Sequence, residues 1–329
     1  MRKVLGLGNA LVDILIRLDN YEILREFSLP KGSMQLVDRD MARMILQRTE
    51  GLEKSLSSGG SAANTIHGLA RLGVQTGYIG AIGHDKYGDF FRSDLEKHHI
   101  KPYLNYRKIE TGRATTLITP DSERTFATYL GAAIELKSTM LLPDYFSGYD
   151  FFHFEGYLVP DHELVLKALK NARKNGIKIS IDMASYNIVE ENQDFLDEII
   201  TNYVDIVFAN EEEAKAFTGK DPENALCEIS KKCEIAVVKI GKNGSLVRKD
   251  QENFNIGVID VKSRDTTGAG DLYASGFLYG LIHGFPLDEC GKIGAILSGK
   301  VIEVFGAKMD DQQWGKIRSS ISSSYGLQF

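Results

Sequence analysis

Beyond residue 149 the sequence alternates short apolar runs with amphipathic stretches of helical length, and this alternation limits the possible folds more than any single motif does. Residues 149–154 precede 163–174, residues 178–182 precede 192–201, residues 206–208 precede 211–217, and residues 235–239 lead into a hairpin around Lys242, Asn243 and Gly244. Strands separated by helices of about ten residues predict an α/β fold with a parallel, doubly wound sheet. Such sheets bind ligands at the carboxyl ends of their strands. Asn9, Asp13, Glu155, Asp182, Asn210 and the turn ending at Asp271 all follow apolar runs, so one sheet edge could collect them.

Composition excludes several classes. The chain has 329 residues, 43% hydrophobic and 26% charged, and its formal charge of -6 lacks the basic footprint that nucleic acid needs. Three cysteines, Cys227, Cys233 and Cys290, form neither a disulfide framework nor a CxxC metal pair. Met1-Arg2-Lys3 followed by Val4-Leu5 imitates a signal peptide, but Asn9 and Asp13 interrupt the apolar stretch. No run approaches the ~18 apolar residues of a membrane span, so a cytoplasmic protein is expected.

Asp265-Thr266-Thr267-Gly268-Ala269-Gly270-Asp271 joins an alternating segment, 254–261, to a helical pattern over 272–282. Glycines permit the turn, and the first amides of a helix have no internal partners, so the turn can cradle an anion. Asp271 then falls in the first helical turn, where it either caps the helix or accepts a proton from an alcohol during phosphoryl transfer.

Near the start, 4–8 reads as a buried strand followed by Gly6-Leu7-Gly8-Asn9-Ala10-Leu11. Leu11 stands where GxGxxG requires its third glycine, which argues against a nicotinamide-dependent oxidoreductase. Residues 14–18 continue as a second strand. Ser57-Ser58-Gly59-Gly60-Ser61-Ala62-Ala63-Asn64 opens a helix with Ser61 as its N-cap, and strand 74–82 and helix 89–98 follow. Short alternating runs over 101–130, with a turn at Pro120-Asp121-Ser122-Glu123, predict a hairpin-rich insert that either forms a lid or adds edge strands. The Ser-rich stretch 319–324 reads as a frayed end.

Asn210-Glu211-Glu212-Glu213 opens a helix with an acidic first turn, where the charges favour the helix dipole and could also serve magnesium through water. Lys239-Ile240-Gly241-Lys242-Asn243-Gly244 offers Lys239 and Gly241 to a phosphate but lacks the GxxxxGK[ST] pattern. Taken in order, Gly59-Gly60-Ser61-Ala62-Ala63-Asn64, Asn210-Glu211-Glu212-Glu213 and residues 265–271 resemble the GGxxxN, NxxE and DTxGAGD patterns of the ribokinase-like (PfkB) sugar and nucleoside kinases.

That resemblance implies one kinase domain over residues 1–329: a doubly wound, mostly parallel sheet flanked by helices, with a small β lid from inserts at about 14–38 and 101–130. It implies transfer of the ATP γ-phosphoryl group to a hydroxymethyl, with Asp271 as base and Gly268, Ala269 and Gly270 as anion hole. By the same resemblance, Asn210 and Glu213 would serve Mg2+ and phosphate, with Lys239, Gly241 and Thr267 also at the nucleotide. Asn9, Asp13, Gly59, Gly60 and Asn64 would hold the acceptor. Asp265 and Thr267 resemble the start of a monovalent-cation loop, which would take K+. The spacing from Gly8 to Asp13, Ser61, and the run Glu123 to Ala132 look like the adenosine-kinase branch, whereas Glu155 resembles the acidic sugar ligand of ribokinases. A nucleoside base would need an apolar wall, for which Leu15, Ile16, Leu36 and Phe126 are candidates. The implied partners are a small-molecule nucleoside or sugar, with a monomer or homodimer expected. A sensor that kept the fold without the chemistry is the non-enzyme alternative.

Overall fold

Nine strands make the large sheet of this computed structural model, which describes residues 2–121 and 123–326. Their order across the sheet is Glu252–Ile256, Ser245–Lys249, Ile235–Lys239, Ile206–Asn210, Lys178–Asp182, Phe151–Glu155, Lys3–Leu7, Gln75–Gly83 and Ile100–Arg107. All pairings are parallel except the two that attach the 245–249 and 252–256 hairpin. Along the strands, alternate residues enter opposite cores: Ile206 and Phe208 pack on one face, Val207 and Ala209 on the other. Burial on both faces explains why these strands read as continuous apolar runs.

The chain winds from Lys3–Leu7 to Gln75–Gly83 on one side, then returns to Phe151–Glu155 on the other. Strand order therefore reverses at Lys3–Leu7, which opens a crevice at the carboxyl edge beside Gly8 and Glu155.

A second sheet of five strands has the order Met34–Leu36, Arg124–Tyr129, Gly112–Ile118, Leu11–Arg17 and Lys54–Gly59. Its membership differs from the expected lid. Ile100–Arg107 lies parallel to Gln75–Gly83 at the edge of the large sheet, and Lys54–Gly59 supplies an edge strand where only the start of a helix was read. Exposed Ser55 and Leu56 gave that strand no apolar alternation. Glu22–Glu26 is a helix within the first insert, and helix Arg39–Arg48 follows it.

Three further differences have local causes. The strand before the glycine turn ends at Ile256, and 257–268 carry no regular structure before helix Ala269–His283. The Ser-rich stretch lies in helix Asp311–Tyr325, which an Asp310/Gln313 capping box starts and Trp314, Ile317 and Ile321 pin to the core. Ser122 of the expected hairpin turn lies outside the described residues. Among those residues no helix is long and apolar enough to cross a membrane.

Candidate active site

Two helix starts face each other at the crevice. Asp271 is the third residue of helix Ala269–His283, and its carboxylate accepts from Ser61 Oγ at 2.7 Å and Asn64 Nδ2 at 2.9 Å, both on helix Ser61–Arg71. Ser61 is thus not the N-cap that its sequence position suggested. Gly60 occupies that place with no side-chain cap. Burial, with Asp182 adding to it, pushes the Asp271 carboxyl up to about 6, against the pull of Ser61 and Asn64. A base in that range is charged at neutral pH and more basic than an ordinary aspartate.

Gly268 takes the left-handed conformation with φ 76°, turning the chain so that the amides of Gly268, Gly270 and Asp271 have no acceptor among the described residues. The Ala269 amide instead donates to Thr266 O at 3.2 Å, so the expected anion hole loses one of its three donors. Lys239 stands over this turn. A Cβ on Gly270 would sit 3.0 Å from its Nζ, and Nζ pairs with Asp182 Oδ2 at 2.6 Å. Although burial opposes the charge, Asp182 and Glu213 hold Lys239 above its ordinary value.

A cavity of about 670 Å³ opens beside this turn between Lys239, Gly241, Val258, Val261, Tyr273 and Ile302. It joins an apolar wall to a cationic, amide-rich end, a donor set that fits a nucleotide. Asn210 and Glu213 form a reciprocal capping box: the Glu213 amide donates to Asn210 Oδ1 at 2.8 Å, and the carboxylate accepts from Asn210 N and Nδ2 at 2.7 and 2.6 Å. Both Glu213 oxygens are therefore engaged. Burial and then Asp182 raise this carboxyl to about 7. It could act on Mg2+ through water and field rather than as a direct ligand.

In the small sheet, Asp13 sits in strand Leu11–Arg17 directly over Gly59, where a Cβ would lie 2.3 Å from its Oδ1. Leu15, Phe126, Arg124 and Gly306 close a small cavity of about 30 Å³ with Asp13. Of the four apolar wall candidates, Leu15 and Phe126 line it. Ile16 is fully buried in the core, and Leu36 is 68% exposed on an edge strand.

Glu155 takes a different place from that of a free ligand. Its Oε1 accepts from Asn9 N at 3.0 Å and Asn9 Nδ2 at 2.8 Å, and its Oε2 accepts from Ala62 N at 2.9 Å. Gly8 permits this packing, since a Cβ there would lie 2.4 Å from Oε2. Burial pushes Glu155 up to about 7 against those donors. The carboxylate fixes Asn9 and the start of helix Ser61–Arg71. Glu155→Gln must turn an amide N–H toward a backbone N–H, so it should lower stability by about 1–3 kcal/mol, measured as a reduced urea midpoint at unchanged m-value.

Asp265 also has both oxygens engaged, by Arg124 and the Thr267 amide on Oδ1 and by the Gly306 amide at 2.6 Å on Oδ2. K+ does not fit this carboxylate as placed, because the Arg124 guanidinium already neutralises it. Arg124 also donates to Thr267 Oγ1 at 2.5 Å, tying the small sheet to the glycine turn. Sequence reasoning gave no role to Arg124, to Asp182 or to Lys308. Asp182 at a strand end was the one with a local signal; the other two meet the site only through contacts distant in sequence.

A model of the pfkB family carbohydrate kinases matches residues 44–313. Among solved structures, a probable sugar kinase from Rhizobium etli CFN 42 is 33% identical, with 99% of each chain covered and a TM-score of 0.87. Adenosine kinase from Sinorhizobium meliloti is 32% identical over 97% of this chain and 99% of its own, also at a TM-score of 0.87. An uncharacterized sugar kinase of Archaeoglobus fulgidus is 28% identical over 244 residues, 73% of this chain and 96% of its own length. With the paired helix starts, the glycine turn and the nucleotide-sized cavity, these similarities place the chain in the pfkB family of carbohydrate kinases, as a sugar or nucleoside kinase.

Proposed function

We propose that this kinase transfers the γ-phosphoryl group of ATP to the hydroxymethyl of a nucleoside, adenosine being the first candidate, with Asp271 as the base. The observation that carries the reading is the Asp271 carboxylate held by Ser61 and Asn64 beside the unengaged Gly268 and Gly270 amides, with Lys239 next to the same turn. Asp271 orients the acceptor hydroxyl and takes its proton late, as the bond to the leaving group breaks. Bound ATP supplies the phosphoryl group and Mg2+ screens its charge. The amides and Lys239 stabilise the oxyanion charge that develops at the turn. Asp13 and Asn9, with the backbone at Gly59 and Gly60, hold ring hydroxyls. The Arg124 contact joins the small sheet to the loop and excludes water, which would otherwise compete as acceptor.

Three protein donors tie the Glu155 carboxylate to Asn9 and the start of helix Ser61–Arg71, which speaks against a dedicated ligand for a sugar hydroxyl and so favours a nucleoside over a free sugar. Leu15 and Phe126 beside Asp13 favour it as well. The cavity at Asp13 holds only about 30 Å³, room for a water rather than for a sugar or a base, so either acceptor requires the small sheet to move outward. ADP release scored over nucleosides and sugars decides between them. Adenosine well ahead of ribose and fructose supports the nucleoside, and the reverse order overturns it.

A further inference from the structure

One face of helix Ser61–Arg71 carries Asn64, His67 and Arg71, three and four residues apart, and it forms a polar stripe from the active centre to the surface. Asn64 meets Asp271 at one end, and Arg71 reaches Asp311 at the other. Between them His67 is buried, its ring 4.4 Å from that of His98. Asp94 accepts from Ser58 and lies 3.4 Å from His98 Nδ1.

Lys308 enters this enclosure two residues after Gly306, whose amide braces Asp265. Its Nζ is buried and has no hydrogen-bond partner among the described residues. The charged groups facing it come from four elements. Asp94 on helix Lys86–Lys97, Asp13 on strand Leu11–Arg17 and Asp271 on helix Ala269–His283 attract it, while Arg71 on helix Ser61–Arg71 repels it. His67 and His98 flank the same Asp94. His67, Asp94 and His98 place one ligand atom each within 4.8 Å of one another, as a divalent metal would require. The ammonium facing the same carboxylate already supplies a cation there, and a dication would be repelled by it.

An ammonium that makes no hydrogen bond in a buried site costs stability. Packing gives no account of it, but the neighbouring carboxylates do. We infer that Lys308 is a positioning residue of the kinase reaction, a fixed buried cation whose field keeps the Asp13 carboxylate charged so that it can accept hydrogen bonds from the acceptor's hydroxyls. The inference rests on the reading of Asp13 as an acceptor-binding group.

Burial drives Asp13 up to about 7, with Asp271 and Asp265 adding to the rise and Lys308 opposing it. Lys308 is itself brought down to about 8 by burial. Both groups are charged between those values. Acceptor binding should therefore rise as Asp13 loses its proton and fall as Lys308 loses its own, and removing Lys308 must move the acid limb toward higher pH.

Carboxyl-¹³C NMR of the labelled full-length protein tests this without requiring turnover, with the Asp13 signal assigned by its loss in Asp13→Asn. Lys308→Met should raise the Asp13 midpoint by at least ~0.5 pH unit and move the acid limb of kcat/KM with adenosine or ribose by the same amount. Acceptor KM should rise ~3–10-fold with the ATP KM unchanged, and Lys308→Arg should keep the wild-type limb. Should Lys308→Met fail to fold, Lys308→Gln takes its place. An Asp13 midpoint that stays within ~0.2 unit of wild type overturns the inference. Absence of ADP release from wild type with every acceptor would instead overturn the reading of the site, leaving the NMR shift to decide the role of Lys308.

Discussion

Asp271→Asn is expected to bind ATP as wild type does and to lose ~10²–10⁴-fold in turnover, the range a positioned general base contributes. The substitution removes the proton acceptor with little change of shape. Ser61 can still donate to the remaining oxygen. Asn64 Nδ2, which now donates to Asp271, would meet the new amide, but the Asn64 side chain can turn over. Its Oδ1 is buried and without a partner among the described residues, so it is available to accept from that amide. Folding should therefore survive, and the thermal midpoint separates a lost base from a lost fold. Wild-type kcat should fall below about pH 6, because burial places the Asp271 carboxyl there and only its deprotonated form accepts a proton. Calorimetry of nucleotide binding together with ADP release makes the measurement, and a variant within tenfold of wild type would show that Asp271 is not the base.

The alternation of strands and helices was legible because the large sheet is buried on both faces, which makes each central strand an uninterrupted apolar run. Legibility failed at edges. Ile100–Arg107 is only partly buried along most of its length, so its mixture of apolar and polar residues reads like a strand of a small half-exposed sheet. Lys54–Gly59 is an edge strand in which Ser55 and Leu56 are exposed and Lys54 and Ser57 only half-buried. Within the candidate site, structure was legible where it is local, as in the glycine turn, the Asn210/Glu213 pair and the GGxxxN helix. Contacts distant in sequence were hidden. Ser61 and Asn64 reach Asp271 across 210 and 207 positions, and Arg124 reaches Asp265 across 141. At Glu155 the position was legible and the surroundings were not: its carboxylate lies at the strand end, and Asn9 and the Ala62 amide donate to it.

Four carboxylates around the crevice, Asp13, Glu155, Glu213 and Asp271, are all held above their ordinary values, with burial the largest cause in each. Two largely buried lysines oppose this, Lys239 beside the glycine turn and Lys308 behind Asp13. Such groups concentrate where function needs charge in a dry place, and the fold is weaker for it. A raised carboxyl binds its proton more tightly in the folded chain than in the unfolded one. Its ionisation therefore lowers stability as pH rises between the two values.

Asp13 exposes this conflict most clearly, because its carboxylate has no hydrogen-bond partner among the described residues and faces Asp271 and Asp265. Asp13→Asn should lower kcat/KM for the acceptor by ~10²–10³-fold, the loss expected when a charged acceptor of two hydroxyl hydrogen bonds is replaced by an amide. The same change should raise the thermal midpoint. The gain has a definite sign and window. Below 3.8, the ordinary aspartate value, Asp13 is protonated in both states and the variant gains nothing from its charge. From there to about 7 the unfolded chain gives up the proton while the folded chain keeps it, so wild type weakens and the advantage of the variant grows. Thermal scans at several pH values, paired with acceptor kinetics at pH 8, measure both effects. Greater stability with poorer acceptor binding would show that Asp13 is kept charged for the substrate; a lower midpoint at every pH would show that it supports the fold.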